Sequence, residues 1–346
     1  MFDPDAFARA HGPPPARGVL RSRPEDFVVD ELPLVEPSGA GEHVLLHLQK
    51  RNTNTDWLAR RLARFAGVRP VDVGYAGLKD RQALTTQWFS VRLAGRPEPD
   101  WAALDLPDVS VLEHERHGRK LQRGALRGNR FTITLRSLAG DREAIEARLH
   151  AIAARGVPNY FGPQRFGHGA GNVEEAVAML VEGRRVRDRH RRGLYLSAAR
   201  AWLFNQVLAA RVEAGTWDQA LAGDVMILDG RRSHFSVDVP DETIAARLAQ
   251  FDIHPSGPLW GAGERPVDAE ALAIEDAVLA GYAPWCEGLA KAGLKQERRA
   301  LRLRVNALSW TVPEPDTLQM SFALTAGAYA TSVLREIVAA LPALSD

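Results

Sequence analysis

The chain is poor in the residues on which most covalent and metal chemistry depends. Its 346 residues include one cysteine, Cys286. A single thiol can make no intramolecular disulfide and no cysteine-based zinc site. Beside Trp285 it reads as a small packed residue rather than a nucleophile. The ten histidines show no His-Glu-x-x-His or comparable metal spacing, so no metal is expected. There is no Gly-x-Ser-x-Gly elbow and no Walker A loop, which removes several hydrolase and NTPase readings. No apolar run approaches the ~20 residues that cross a bilayer. The opening Met1-Phe2-Asp3-Pro4-Asp5 lacks the basic and apolar regions of a secretion signal. A cytoplasmic protein without a membrane partner is therefore expected. Lysine is also scarce: only residues 50, 79, 120, 291 and 295 among 44 basic positions, the other 39 being arginine. Arginine thus stands at sites where a lysine would serve differently.

What is present reads as an ordinary globular chain, 45% hydrophobic and 25% charged, and long enough for two domains. The net charge of +1 argues against a binder that relies on bulk positive charge, not against a locally basic surface. Residues 26–31 and 43–48 read as strands, with turn-rich chain between them. Thr55 to Ala66 reads as a helix, with Leu58, Leu62 and Phe65 on one face, Asn54 or Thr55 to cap it and Gly67 to close it. Phe131, Ile133 and Leu135 alternate with polar residues, as in a half-buried strand, and 87–93 is strand-like. A helix follows over 141–155. From 157 to about 300 helical patterns dominate, for example 173–181 and 197–212. Strands return at 301–305 and 317–324, and 330–341 reads as a closing helix. Strand-rich ends around a helical middle suggest a sheet completed by both ends of the chain, with an inserted domain.

Several stretches could carry chemistry. In Gly74-Tyr75-Ala76-Gly77-Leu78-Lys79-Asp80-Arg81-Gln82, two glycines bracket a tight path and an acid sits between two cations. Flanking cations favour an ionised carboxylate, which can act as a nucleophile or a base. A solvated turn aspartate is the plain alternative. Arg116 to Arg130 and Arg184 to Arg192 are two basic clusters suited to a phosphate backbone. Asn159-Tyr160-Phe161-Gly162-Pro163-Gln164-Arg165-Phe166-Gly167 alternates aromatic, amide and arginine. It fits unpaired bases and a buried aromatic junction equally well. Gly167-His168-Gly169-Ala170-Gly171 is a partial dinucleotide fingerprint without its strand and βαβ unit, so no nucleotide cofactor is expected.

Taken in order, these runs resemble the TruD family of tRNA pseudouridine synthases, which modify uridine 13. The resemblance rests on Arg23-Pro24-Glu25-Asp26-Phe27-Val28-Val29-Asp30-Glu31, Lys50-Arg51-Asn52-Thr53-Asn54-Thr55, Tyr75-Ala76-Gly77-Leu78-Lys79-Asp80 and the 159–167 segment. Ser197-Ala198-Ala199-Arg200, Leu203-Phe204-Asn205-Gln206 and Ala330-Thr331-Ser332-Val333-Leu334-Arg335-Glu336 complete it. It implies an α+β fold: a catalytic domain on a mixed, mainly antiparallel sheet from 1–155 and 301–346, and an inserted α/β domain over 156–300.

The resemblance also implies that Asp80 is the catalytic aspartate, acting without metal or cofactor. Phe27 matches an aromatic near the target base, and Asn129 a substrate-contacting amide in Gly128-Asn129-Arg130-Phe131. Tyr329 stands where relatives commonly have Phe, and Arg21 where they often have Lys. Lys79 and Phe131 complete the expected substrate-binding set. The Tyr329 hydroxyl must find a partner. The expected partner is tRNA, met by a monomer. Asp80 would attack the sugar or help eliminate the uracil, and an aromatic ring would hold the detached base for rejoining through C5. A non-catalytic RNA-binding protein on the same fold is the alternative. An RNA methyltransferase would need a donor-binding glycine-rich strand–turn–helix, which is absent.

Overall fold

The computed structural model of the chain describes residues 2–339. In chain order its elements are β1 (Ala16–Leu20), β2 (Phe27–Pro33), β3 (His43–Arg51), α1 (Thr55–Phe65), β4 (Val73–Tyr75), β5 (Leu84–Arg92), β6 (Val109–His117), β7 (Leu126–Gly140), α2 (Arg142–Arg155), β8 (Val157–Pro158), α3 (Gly171–Leu180), α4 (Arg189–Glu213), β9 (Asp224–Leu228), β10 (His234–Val237), α5 (Glu242–Ala249), β11 (Ile253–Leu259), α6 (Ala269–Leu279), α7 (Ala283–Lys291), β12 (Glu297–Ala300), β13 (Arg302–Leu303), β14 (Asn306–Glu314), β15 (Thr317–Thr325) and α8 (Ala330–Leu334). They form two compact units. A sheet unit holds 16–141 and 306–327; a helical unit holds 142–305 with 328–339 and the residues before 16.

The sheet unit is one nine-stranded sheet in the order β14-β15-β7-β2-β5-β3-β6, with β1 paired to β7 and β4 to β5. Only the β2–β5 pairing is parallel, so the sheet is mixed and mainly antiparallel, as expected. Helix α1 forms where the sequence placed it. The Asn54 side chain accepts from the backbone N–H of Asp56 and Trp57, satisfying donors the helix itself cannot. Its buried Leu58 and Leu62 pack with Val44, Leu46, Leu48, Phe89 and Val91 of the sheet. Strand alternation decides which residues line that face. Register places Phe27 opposite Ile133, Val29 opposite Phe131, and Glu31 opposite Asn129. Across β15, Phe322 lies opposite Phe131 and Leu324 opposite Asn129. On the other side Lys50 lies opposite Thr85 and Leu48 opposite Gln87. Phe27, Glu31, Asn129, Phe131, Thr85, Gln87 and Lys50 therefore share the face that α1 covers.

The helical unit has its core on α4, where Trp202, Leu203, Phe204, Val207 and Leu208 are buried with Trp217, Trp285 and Leu289. It also contains a four-stranded sheet, β10-β9-β11-β12, so its α/β character is plain. Cys286 is buried, which pushes its thiol up to about 11. Within the 159–167 segment, Asn159, Tyr160, Gly162 and Phe166 are buried, while Pro163 and Gln164 are exposed and Phe161, Arg165 and Gly167 are half-buried, so it divides between core and surface.

The units divide the chain at 141/142 and 305/306, whereas the sequence reading placed its boundaries at 155/156 and 300/301. Side-chain hydrogen bonds explain the difference. Arg148 of α2 donates to the carbonyl of Pro13 at 2.9 Å, and His11 Nε2 lies 2.8 Å from the Gly156 carbonyl. Glu336 accepts from the backbone N–H of Ala10 and His11. These contacts bind α2, the N-terminal segment and α8 together. The helix expected over 330–341 ends at Leu334 and continues as turns; its last two positions lie outside the described residues. Among the described residues no helix is long and apolar enough to cross a membrane.

Candidate functional site

The loop 76–83 joins β4 to β5 and carries Asp80. Gly74 in β4 and Gly77 in the loop differ in role. A Cβ on Gly74 would meet the Leu121 carbonyl oxygen at 2.5 Å, so only glycine fits there, whereas one on Gly77 would meet nothing within 4 Å. Side chains from the covered face pin the loop. The Lys79 backbone N–H donates to Thr55 Oγ1 at 3.1 Å, and Thr55 Oγ1 donates to Gln87 Oε1 at 3.1 Å. Gln87 Nε2 donates to the Gly77 carbonyl. The Gly124 N–H donates to the Ala76 carbonyl at 2.7 Å.

The strongest tie comes from Lys50, which is fully buried. Its ammonium donates to the Thr53 carbonyl at 2.7 Å and to the backbone carbonyl of Asp80 itself at 3.0 Å. Burial drives its pKa down to about 8; Asp80 opposes that shift and Lys79 adds to it.

The Asp80 side chain is one-third exposed, at 34%. Its Oδ2 accepts from Arg21 Nη2 at 2.7 Å. Oδ1 has no hydrogen-bond partner among the described residues. Arg21 is buried, and its Cζ lies 3.9 Å from the centroid of the Phe27 ring. Its backbone is left-handed, φ +60°, which costs a non-glycine residue on the order of 1 kcal/mol or more. The ion pair and the ring stack hold it there. Burial lowers the Arg21 pKa and Asp80 works against that. The cations next to Asp80 in sequence do not pair with it. Lys79 turns inward to a buried ion pair with Glu31, whose other oxygen accepts from the Trp88 N–H at 3.2 Å. Arg81 is exposed.

Phe27, Arg21, Asp80, Phe131 and Asn129 thus belong to one face of one unit. Phe27 meets Phe131 edge-on at 6.1 Å, and Phe131 stacks on Phe322 at 5.5 Å. Two buried polar atoms of this set lack a hydrogen-bond partner: Arg21 Nε, a donor, and Asn129 Oδ1, an acceptor. Tyr329 belongs to the helical unit, as the residue preceding α8. Its hydroxyl accepts from Arg165 Nη2 at 2.8 Å, which is the partner the sequence required, and its ring meets Phe161 at 6.2 Å. Lys50, Glu31, Thr55 and Gln87 were not singled out from sequence. Lysine scarcity was the available signal: two of the five lysines, Lys50 and Lys79, flank Asp80 in space or in sequence. Among the described residues no group of three or more His, Cys, Asp or Glu side chains could hold a metal ion.

The family model described as tRNA pseudouridine synthase D (TruD) matches residues 7–187 and 185–337. A Nitrosococcus oceani protein named tRNA pseudouridine synthase D is 59% identical over 329 residues, covering 94% of this chain and 92% of its own. A Methylococcus capsulatus protein of the same name is 54% identical over 334 residues, covering 96% and 94%. A crystal structure from Methanosarcina mazei assigned to the same name has a TM-score of 0.69 over 99% of this chain and 97% of its own. At 24% identity that likeness concerns the fold.

Proposed function

The chain belongs to the TruD family of tRNA pseudouridine synthases, and from that premise we propose that it isomerises uridine to pseudouridine in tRNA, at position 13, with Asp80 as the catalytic carboxylate. The observation that carries the assignment of Asp80 is its divided carboxylate. One oxygen is held by the buried Arg21, and the other is unpaired on a loop pinned through the Asp80 carbonyl. Breaking the N1–C1′ bond needs one such free oxygen, as nucleophile at C1′ or as base in an elimination. The nearby guanidinium is placed to steady negative charge on the departing uracil.

The unpaired atoms support uracil as the base handled here. Its ring edge offers carbonyl acceptors and an N–H donor, which complement Arg21 Nε and Asn129 Oδ1. Leaving such buried groups unmatched costs roughly 1–3 kcal/mol each, a cost that a bound base would remove. Phe27 and Phe131 back the site with rings. We assign the catalytic role to the sheet unit and the family-specific insertion to the helical unit. The enzyme acts as a monomer in the cytoplasm, where tRNA is found, and without metal or nucleotide cofactor. The test is Asp80→Asn on uridine-containing tRNA: it binds with near-normal affinity and makes no pseudouridine. Full turnover by that variant refutes the assignment.

A further inference from the structure

The sheet unit contains a concavity away from Arg21, Phe27 and Asn129. It is an open groove of about 740 Å³ between α1, β4 and the turn before β7. That volume lies within the roughly 300–1,000 Å³ of sites that take small-molecule-sized ligands. Trp57, Arg60, Tyr75, Lys120 and Arg123 line it, with Asp56 as an acid at its edge.

Three cations therefore face one carboxylate, and that carboxylate is already engaged. Asp56 accepts from the Tyr75 hydroxyl and lies 3.8 Å from Arg123. Arg60 is exposed and has no hydrogen-bond or ion-pair partner among the described residues. Lys120 spends one donor on the Val71 carbonyl at 2.6 Å and keeps two. Arg123 lies over the Tyr75 ring, with Cζ 3.9 Å from its centroid, and donates to the Tyr75 hydroxyl, while its side chain is 60% exposed. A guanidinium stacked on a ring and open on its outer plane is a ready platform for a base. The half-buried Trp57 supplies an indole beside it.

We propose that this groove binds an unpaired nucleotide of the tRNA other than the target uridine. Its base stacks on the Tyr75–Arg123 platform and against Trp57, and its phosphate is met by Arg60 and Lys120. This rests on the reading of the chain as a tRNA-modifying enzyme. RNA is the occupant because the lining combines cations with stacking planes, the chemistry by which single-stranded nucleic acid is held without sequence readout. The groove is also wired to the catalytic loop. Tyr75 is the last residue before that loop, and the N–H next to Arg123 holds the Ala76 carbonyl. Thr55, which opens α1, accepts from the Lys79 N–H. A nucleotide seated here lies against the elements that fix Asp80.

The experiment compares Arg60→Glu with Arg142→Glu, an equal charge change on an exposed arginine of α2. Pseudouridine formation is followed at several salt concentrations. Arg60→Glu is expected to raise KM for tRNA by about tenfold, mostly sparing kcat. It should also lower the slope of log KM against log salt by about 0.7 to 0.9, the share of one lost phosphate contact. Arg142→Glu should leave both as in the parent. Ultraviolet crosslinking of bound tRNA should yield a nucleotide adduct on the peptide containing Trp57 or Tyr75. If Arg60→Glu matches Arg142→Glu in KM and in slope, or if no adduct forms on either peptide, the groove assignment is overturned while the proposed activity stands. A parent enzyme that makes no pseudouridine overturns the proposed activity instead.

Discussion

Replacing Lys50 by Met separates positioning from stability in this site. Lys50 is fully buried and donates to two carbonyls, those of Thr53 and Asp80. Burial lowers its pKa from 10.5 to about 8, so keeping it charged at neutral pH costs roughly 3 kcal/mol. Lys50→Met removes that cost but orphans the two carbonyls, at roughly 1–3 kcal/mol each. The two effects cancel to within about 3 kcal/mol, so the thermal midpoint should move by no more than about 12 °C. Catalysis has no such compensation. The backbone that aims Asp80 loses its anchor, and a misplacement of about 1 Å costs on the order of 10²-fold in rate.

The expected result is a fall in kcat of about 10- to 100-fold with near-normal tRNA binding. Stability adds a second signature. Between about pH 8 and 10.5 the folded chain has released this proton while the unfolded chain still holds it, so stability rises with pH across that window. Below about pH 8 both states are protonated and the full cost of burial stands. Urea unfolding should show the parent gaining up to roughly 3 kcal/mol relative to Lys50→Met between those limits. A variant with parental kcat, or with the parental pH dependence of stability, refutes the reasoning.

Three further outcomes follow from the described contacts. Arg21→Met should lower kcat on the order of 10²-fold, as for loss of one donor at a developing charge, whereas Arg21→Lys should retain most activity; equal effects of the two would show that charge beside Asp80 is irrelevant. Tyr329→Phe keeps the ring but removes the acceptor for Arg165, so calorimetry should record a loss of about 1 kcal/mol, and an unchanged midpoint would contradict the contact. Asp224→Ala strands the buried Arg211, which now pairs with it at 2.9 and 3.0 Å; denaturant titration should show a loss of about 3–5 kcal/mol, and less than about 1 would mean the pair is not desolvated.

Local chemistry was the most legible part of the sequence. Asn54 capping α1, the alternation of Phe131, Ile133 and Leu135, and the hydroxyl partner owed to Tyr329 could all be read from neighbouring residues, because each is decided within a turn or a strand. In the loop that carries Asp80 the sequence shows an acid between two cations, and its neighbours do not reveal the pairing. Lys79 turns to Glu31 because the strand face beneath it offers a buried carboxylate, while the partner of Asp80 arrives from residue 21. Lys50 gave no periodic signal, since its role comes from a register two strands away from β2. The unit boundaries depended on single arginines and a glutamate reaching distant backbone, which no hydropathy pattern records.

The C-terminal hairpin has a consequence for synthesis. Strand β15 completes the partner set of β7, and Phe322 closes the ring stack on Phe131. Those residues leave the ribosome only after all of 142–305 has been made. At about 5–20 residues per second, β7 waits many seconds with one edge bare, a row of unpaired amides open to any passing strand. The helical unit waits as well, because Glu336 and Arg335 are needed to seat its N-terminal segment. The nascent chain thus holds two unfinished halves at once, and both close on the same last stretch. A premature stop anywhere before residue 325 would leave no working fragment, only an open-edged sheet for chaperones or proteases to clear.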